Sequence, residues 1–323
     1  MAACEALFRI GAKVLLAVLS VACLPSAEGQ PTISQPTTRY GQPVAVCEIH
    51  DPRLTEASGL VASRRNPGYY YTHNDSQGQP WVYVLDRLGR ICTTIRLVGA
   101  RNVDWEDISL ARGDQANTYD VCVADIGDNK ACRTEIVIYR FPEPEINALA
   151  RGRGTIDLTP KATRCKYEDG PRDAEGFATH PQTGDGYLFT KQYDGVCRIY
   201  RLAAPWPTNG PATLKCSGTL KFPKEAHRLS RIVTAADISP DGRCLVTRGY
   251  VGGWEWRLPE KPALGEFARI VDRAPTPIEL AGEPQGEALC FSADGSALLT
   301  ISEQTPTTLY EVRTWQGERA SKP

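Results

Sequence analysis

The chain has 323 residues, of which 41% are hydrophobic and 23% charged, a balance that excludes disorder, a collagen-like repeat and a polytopic membrane protein. Its 28 Gly and 24 Pro, about 16% of the chain against ~12% in an average protein, and its single Met point to short strands and many turns rather than long helices. With 37 basic and 38 acidic residues the net charge is −1, which removes the general attraction to phosphate backbones that nucleic-acid binding needs.

In chain order, residues 1–29 carry Arg9 and Lys13, the apolar run Val14–Cys23 and the small-x-small sequence Ala27-Glu28-Gly29, the order of a secretory signal peptide that ends before Gln30. The apolar run is about half the ~20 residues a membrane-crossing helix needs, and no later stretch approaches that length, so no transmembrane span is expected. Residues 30–323 are then expected to form one domain in a secreted or periplasmic protein. Ser20-Val21-Ala22-Cys23 also approximates a bacterial lipoprotein box, so a lipid anchor at Cys23 is the alternative. Outside the leader, which carries Cys4 and Cys23, nine of the eleven cysteines remain, an odd number without CxxC spacing, which speaks against a zinc or thioredoxin-like site. Cys122, Cys244 and Cys290 lie in apolar strand patterns and read as core residues. An exported setting permits disulfides among Cys47, Cys92, Cys132, Cys165, Cys197 and Cys216, with the connectivity open.

After a strand at Val44–Ile49, one unit recurs along residues 58–312. The first copy begins Ser58-Gly59-Leu60-Val61, turns at Asn66-Pro67-Gly68 and ends with Ile91–Leu97. The second begins Glu106-Asp107-Ile108-Ser109 and continues with Val121–Ala124. In the third, Glu175–Thr179 leads through the turn His180–Gly186 to Tyr187–Thr190 and Cys197–Leu202. The fourth runs from Ala236–Ser239 through Pro240-Asp241-Gly242 to Cys244–Thr247 and Trp254–Leu258. The fifth runs from Glu287–Cys290 through Ala293-Asp294-Gly295 to Leu298–Ile301 and Thr308–Val312. Four antiparallel strands per repeat is the pattern of a β-propeller blade. The predicted fold is therefore all-β, a single propeller of five four-stranded blades, with a six-bladed ring as the alternative. The fifth copy ends after its third strand, and Val44–Ile49 is expected to supply the fourth and close the ring. Pro142–Leu149 reads as a loop insertion with about one helical turn.

Propeller geometry brings the starts of the innermost strands and the ends of their neighbours to one face. The starts supply Glu106, Glu175 and Glu287, with Asp104, Asp107, Asp173 and Asp237 nearby. The ends supply His73-Asn74-Asp75, Asp125-Ile126-Gly127-Asp128-Asn129, Lys191, Arg248 and Glu303. So many carboxylates at a narrow channel mouth repel one another unless a cation, or the charges of Lys191 and Arg248, offsets them. Calcium suits this donor set because it takes six to eight oxygen ligands, whereas zinc wants His and Cys. The expected metal ligands are Glu106, Glu175, Glu287 and Asp125, with Asp128, Lys191, Asp237, Arg248 and Glu303 as further polar residues of the rim. Structural ion pairs with Lys191 and Arg248 are the alternative use of the same glutamates. Asp125–Asn129 matches part of a calcium loop but lacks the EF-hand spacing and its distal Glu, and a plain Gly/Asn turn accounts for it as well. His73, beside Asp75, is the candidate general base, against a hydrogen-bonded structural histidine. Nucleophile-elbow, Walker A, HExxH and dinucleotide-binding motifs are absent.

The segments Glu56-Ala57-Ser58-Gly59-Leu60, Thr72-His73-Asn74-Asp75-Ser76, Asp104-Trp105-Glu106-Asp107-Ile108, Asp125–Asn129, Asp173-Ala174-Glu175-Gly176 and Gln285-Gly286-Glu287-Ala288 resemble a group of uncharacterised exported bacterial propellers. That group is similar to the SdiA-regulated propeller family and, more distantly, to NHL-repeat and esterase-like phytase propellers. The resemblance covers nearly all of residues 44–312 and implies a five-bladed ring with a calcium site. The phytase-like relation implies phosphoester hydrolysis, on the strength only of the Glu-Gly/Ala-hydrophobic strand starts. Ala236 stands at the Glu position in the fourth repeat, which breaks the symmetry of a metal ring. The expected function is a module that binds a small molecule or a protein at the channel face. The alternative is a metal-dependent hydrolase of phosphoesters or lactones, in which the three glutamates hold the ion and His73 or Asp75 activates water.

Overall fold

Runs of β-branched and aromatic residues broken by turns fold residues 57–97 into four antiparallel strands, preceded by β1 (Val44–Ile49). These are β2 (Ala57–Ala62), β3 (Tyr69–Asn74), β4 (Trp81–Asp86) and β5 (Ile91–Leu97). The tight turns between them need glycine, since Gly68 has φ +87° and Gly89 φ +72°. The computed structural model describes residues 39–76, 78–146, 154–259 and 266–314. The expected signal segment 1–29, with Cys23, and residues 147–149 of the insertion lie outside the described residues.

The next strands are β6 (Trp105–Arg112), β7 (Tyr119–Asp125), β8 (Ile136–Pro142), β9 (Thr155–Leu158) and β10 (Lys161–Tyr167). They are followed by β11 (Ala174–Thr179), β12 (Gly186–Thr190), β13 (Cys197–Leu202) and β14 (Ala212–Leu220). Then come β15 (Ala235–Ile238), β16 (Cys244–Arg248), β17 (Gly253–Arg257) and β18 (Thr276–Ile278). The last are β19 (Gly286–Phe291), β20 (Ala297–Ser302) and β21 (Thr307–Arg313). Short 3₁₀ turns occupy Arg228–Ser230 and Glu266–Asp272. The chain is thus nearly all β, arranged in several sheets. No described helix is long and apolar enough to cross a membrane.

The sheets are built from antiparallel quartets, with two departures from simple repetition. β9 crosses to pair in parallel with β5, and β10 pairs antiparallel with β8 and in parallel with β14. The second and third quartets therefore merge into one eight-stranded sheet, β11-β12-β13-β14-β10-β8-β7-β6. At the other end of the chain β1 pairs antiparallel with β21, so the first strand completes the last sheet.

The opening strands of the quartets pack in sequence: β2 on β6, β6 on β11, β11 on β15, β15 on β19 and β19 on β2. Side chains tie these strands to their neighbours. Ser58 Oγ donates to the Glu106 carbonyl (2.7 Å), Thr234 Oγ1 to the Gly286 carbonyl (2.9 Å), and the Asp107 carboxylate accepts from the amides of Phe177 (2.8 Å) and Ala236 (3.3 Å). Apolar clusters fill the spaces between successive quartets. Tyr71, Trp105 and Phe141 belong to one, Phe177 and Tyr200 to another, and Phe189 and Trp256 to a third. Burying a Trp such as Trp105 or Trp256 removes about 200 Å² from water, roughly 5 kcal/mol before conformational entropy is counted. Cys165 and Cys197, candidates for bridging in the sequence, are buried thiols of these clusters, as are Cys122, Cys244 and Cys290, and no disulfide forms among the described cysteines.

Candidate functional site

Four of the five opening strands, all but β15, carry a β-bulge, and in three of them the extra residue is a glutamate. On β6 the pairing jumps from Trp105↔Asp125 to Asp107↔Ala124, on β11 from Ala174↔Thr190 to Gly176↔Phe189, and on β19 from Gly286↔Ser302 to Ala288↔Ile301. A bulge takes its residue out of the ladder and re-aims the side chain. Glu106, Glu175 and Glu287 are thereby held at 3%, 2% and 5% exposure. β15 has no bulge, pairing Ala235↔Arg248 and Ala236↔Thr247 in plain register, and it supplies no acid at this level.

Around Glu106 the chain assembles an acidic cluster in which carboxylate oxygens of Asp75, Asp104 and Glu106 lie within 4.8 Å of one another. Asp104 is positioned from both sides. Its amide (3.2 Å) and that of Val103 (3.3 Å) donate to the Asp125 carboxylate, and its carbonyl accepts from the amides of Ile126 and Gly127, both at 3.1 Å. Asp75 is fixed by its amide, which donates to the Glu56 carbonyl (2.8 Å), and Asn102 Nδ2 donates to the carbonyls of Asn74 and Asp75. Gly127 closes the cluster: a Cβ there would stand 2.0 Å from Glu106 Oε1 and 2.5 Å from Asp104 Oδ2. Only glycine lets the backbone come that close.

No hydrogen-bond donor among the described residues meets the buried Glu106 carboxylate. Asp75 Oδ1 and Glu303 Oε2 are likewise buried without a partner. Burial raises the pKa of every member, and mutual repulsion adds to it. Asp75 is pushed up to about 8 by burial and by Asp104, Glu175 and Glu303. Glu287 is pushed up to about 9 by burial and by Glu175 and Glu303. Glu106 is raised well above the carboxylate range, chiefly by burial and Glu175. Glu175 rises only to about 7, because Lys191 Nζ lies 2.5 Å from its Oε1 and offsets the burial. Burial alone would neutralise Lys191, but Glu175 and Tyr250 outweigh it and keep the ammonium charged, with the Tyr250 ring centroid 5.5 Å away. In the absence of a cation the group shares protons near neutral pH.

The remaining residues singled out in the sequence lie at the edge of the cluster or away from it. Asp125 is buried and paired with Arg133 (2.7 Å), so its charge is already matched and its role is to position Asp104. Asp128 braces the same loop, accepting from the Arg133 amide (2.7 Å) while its own amide donates to Asp173 Oδ1 (2.9 Å). Arg248, 1% exposed, faces Glu283 (2.9 Å) rather than a bulge glutamate and donates to the Ala288 carbonyl (3.0 Å). Asp237 accepts from the amides of Ile238 and Phe291, both at 2.8 Å, and burial pushes it up to about 6. It lines a small cavity with Arg64, Leu110 and Thr179, toward the far ends of the opening strands. Glu303 borders the acidic cluster and is raised by burial and by Glu56.

His73 is fully buried, with Nδ1 3.0 Å from the Asn74 carbonyl and its ring edge-on to Trp105 at 5.5 Å. Burial lowers its pKa to about 4, so the ring is neutral, and no hydrogen bond joins it to Asp75 among the described residues. Asn102, Arg133 and Glu283 were not singled out in the sequence. The one local signal for Gly127 was the Asp-x-Gly-Asp-Asn run, whose glycine makes the close approach to Glu106. No family model matches the chain, and no curated protein does.

Proposed function

We propose that the chain is an exported five-bladed β-propeller, related to the SdiA-regulated propellers, that binds calcium at its channel mouth and serves as a ligand-binding or interaction module. Five quartets whose opening strands pack in a closed circuit, with β1 completing the last sheet, support the ring. The cation reading is carried by one observation: carboxylate oxygens of Asp75, Asp104 and the buried Glu106 converge within 4.8 Å, and no donor among the described residues meets Glu106. The donor set fits a hard cation, since it is all carboxylate oxygen, with no thiol or imidazole in the cluster. Asp75, Asp104 and Glu106 would hold the ion, with Glu175, Glu287 and Glu303 deepening the negative field. A bound cation neutralises the repelling carboxylates and offers its open coordination positions to an anionic oxygen of a ligand. A binding role is favoured over hydrolysis because neither candidate base is placed for it: His73 is sealed in the core, and Asp75 belongs to the cation cluster.

Thermal unfolding after EDTA treatment, with calcium, magnesium or zinc then added, tests this reading. At a hundredfold excess over Kd, calcium is expected to stabilise the wild type by about 2.7 kcal/mol, a rise in Tm of about 5 °C. Glu106→Gln is expected to abolish that response, and Glu135→Gln, at an exposed pair with Arg164, to retain it. An unchanged wild-type midpoint, or an unimpaired response in Glu106→Gln, overturns the proposal.

A further inference from the structure

A second feature lies beside the acidic cluster and is independent of any cation. Tyr193, Val196, Leu229 and Val251 are 58%, 41%, 40% and 48% exposed, on three connections that touch one another. Arg228 Nε donates to the Tyr193 carbonyl (3.2 Å). A Cβ on Gly249 would stand 2.4 Å from the Leu229 carbonyl oxygen, and one on Gly195 would stand 3.3 Å from Arg231 Cβ. Exposed apolar side chains gathered on adjoining loops mark an interaction surface more often than scattered ones do.

The exposure is built in rather than accidental. Phe222 packs edge-on against Trp254 and Trp256, at 6.0 and 5.5 Å. Trp254 Nε1 donates to the Ser230 carbonyl (2.9 Å), and Ser230 Oγ donates to the His227 carbonyl (2.7 Å). Leu229 therefore sits in a 3₁₀ turn pinned on both sides and cannot fold inward without breaking these bonds. A surface held this rigidly loses little conformational freedom on binding.

The charge around the patch selects its occupant. The loops 191–196 and 221–231 carry Lys221, Lys224, Arg228 and Arg231, besides a Lys191 already paired with Glu175, against Asp194 and Glu225, in a chain whose net charge is −1. Arg231 Nε is buried without a hydrogen-bond partner, a donor that lacks its acceptor. We infer that the loops 191–196, 221–231 and 249–252 form a docking surface for an acidic peptide segment of a partner protein, with apolar side chains seated on Tyr193, Leu229 and Val251. Its carboxylates would meet Arg228 and Arg231. An anionic lipid surface fits less well, because Asp194 and Glu225 lie among the four exposed apolar side chains, and a flat bilayer cannot turn its charge away from them as a peptide can.

Fluorescence anisotropy with the whole protein in EDTA tests this without involving the cation. The probes are a short labelled peptide of equal glutamate and leucine content and its lysine–leucine counterpart. The acidic peptide is expected to bind, more weakly as salt rises, and the basic one not to. Leu229→Ser, Tyr193→Ser and Arg228→Glu are each expected to weaken binding at least about tenfold. Leu88→Ser, at a distant exposed leucine, should leave it unchanged, and thermal unfolding of each variant confirms that it folds. Equal affinity for both peptides, no binding of the acidic one, or affinity indifferent to the three substitutions overturns the inference. Co-sedimentation with phosphatidylserine vesicles without peptide binding overturns it in favour of a membrane site.

Discussion

Replacing Glu287 with Gln in the cation-free protein probes the central electrostatic claim directly. The glutamate is 5% exposed and its pKa is pushed up to about 9 from an ordinary 4.5. Folding therefore takes up a proton at this site between those values, and stability is lost as pH rises through the interval. At 1.36 kcal/mol per unit the full rise corresponds to about 6 kcal/mol at alkaline pH. Burial is the largest cause and repulsion from Glu175 and Glu303 comes next, and because the neighbouring acids share protons and relax with Glu287, the expected gain from Glu287→Gln is only about 2 kcal/mol. The variant keeps the acceptor for Gln285 Nε2, which lies 3.1 Å from Oε1, so packing changes little. In EDTA at about pH 9 the variant should melt about 4 °C above the wild type. Below about pH 4.5 both side chains are uncharged and the difference should vanish. Equal midpoints at high pH, or a gap that does not change with pH, would refute the claim that ionising this residue strains the fold.

Three further outcomes are expected. Arg248→Met leaves Glu283 buried without its partner and should cost about 3–5 kcal/mol in chemical denaturation; adding Glu283→Gln should restore part of it, since the two face each other at 2.9 Å with almost no exposure. Gly127→Ala forces Glu106 and Asp104 apart and should weaken calcium binding about 10–100-fold by calorimetry, and unaltered affinity would sink the assigned ligand set. The His73 ring should stay neutral on acidification until about pH 4 in an NMR titration, and a midpoint near 6.5 would show that it is not desolvated as described.

Strands were readable where the chain is punctuated. Asn66-Pro67-Gly68 and Asp294-Gly295 mark hairpin turns that exist, and the shortfall after Thr308–Val312 pointed to Val44–Ile49, which does pair there. The parallel pairs β5–β9 and β10–β14 were not readable, because a strand's partner across a long connection leaves no local pattern in sequence. The acids at strand starts were visible as residue types, yet the bulges that aim Glu106, Glu175 and Glu287 follow from register, which emerges only on pairing. The same limit explains why Asp125 looked like a ligand and Arg248 like a partner for the glutamates. Glu283 reaches Arg248 through the fold, and Arg133, eight residues on from Asp125, belongs to no motif with it.

The pairing of β1 with β21 also sets an order of events. Val44 lies opposite Glu311, so the last sheet cannot be finished until β21 has been synthesised. Until then β1 waits as an unmatched segment, and the circuit of opening strands lacks its final contact, β19 on β2. Loop closure over such a distance is slow, and partly assembled sheets expose unpaired edges meanwhile. A chain cut short before Thr307 would be held open, and the arrival of β21 would act as the trigger for closure.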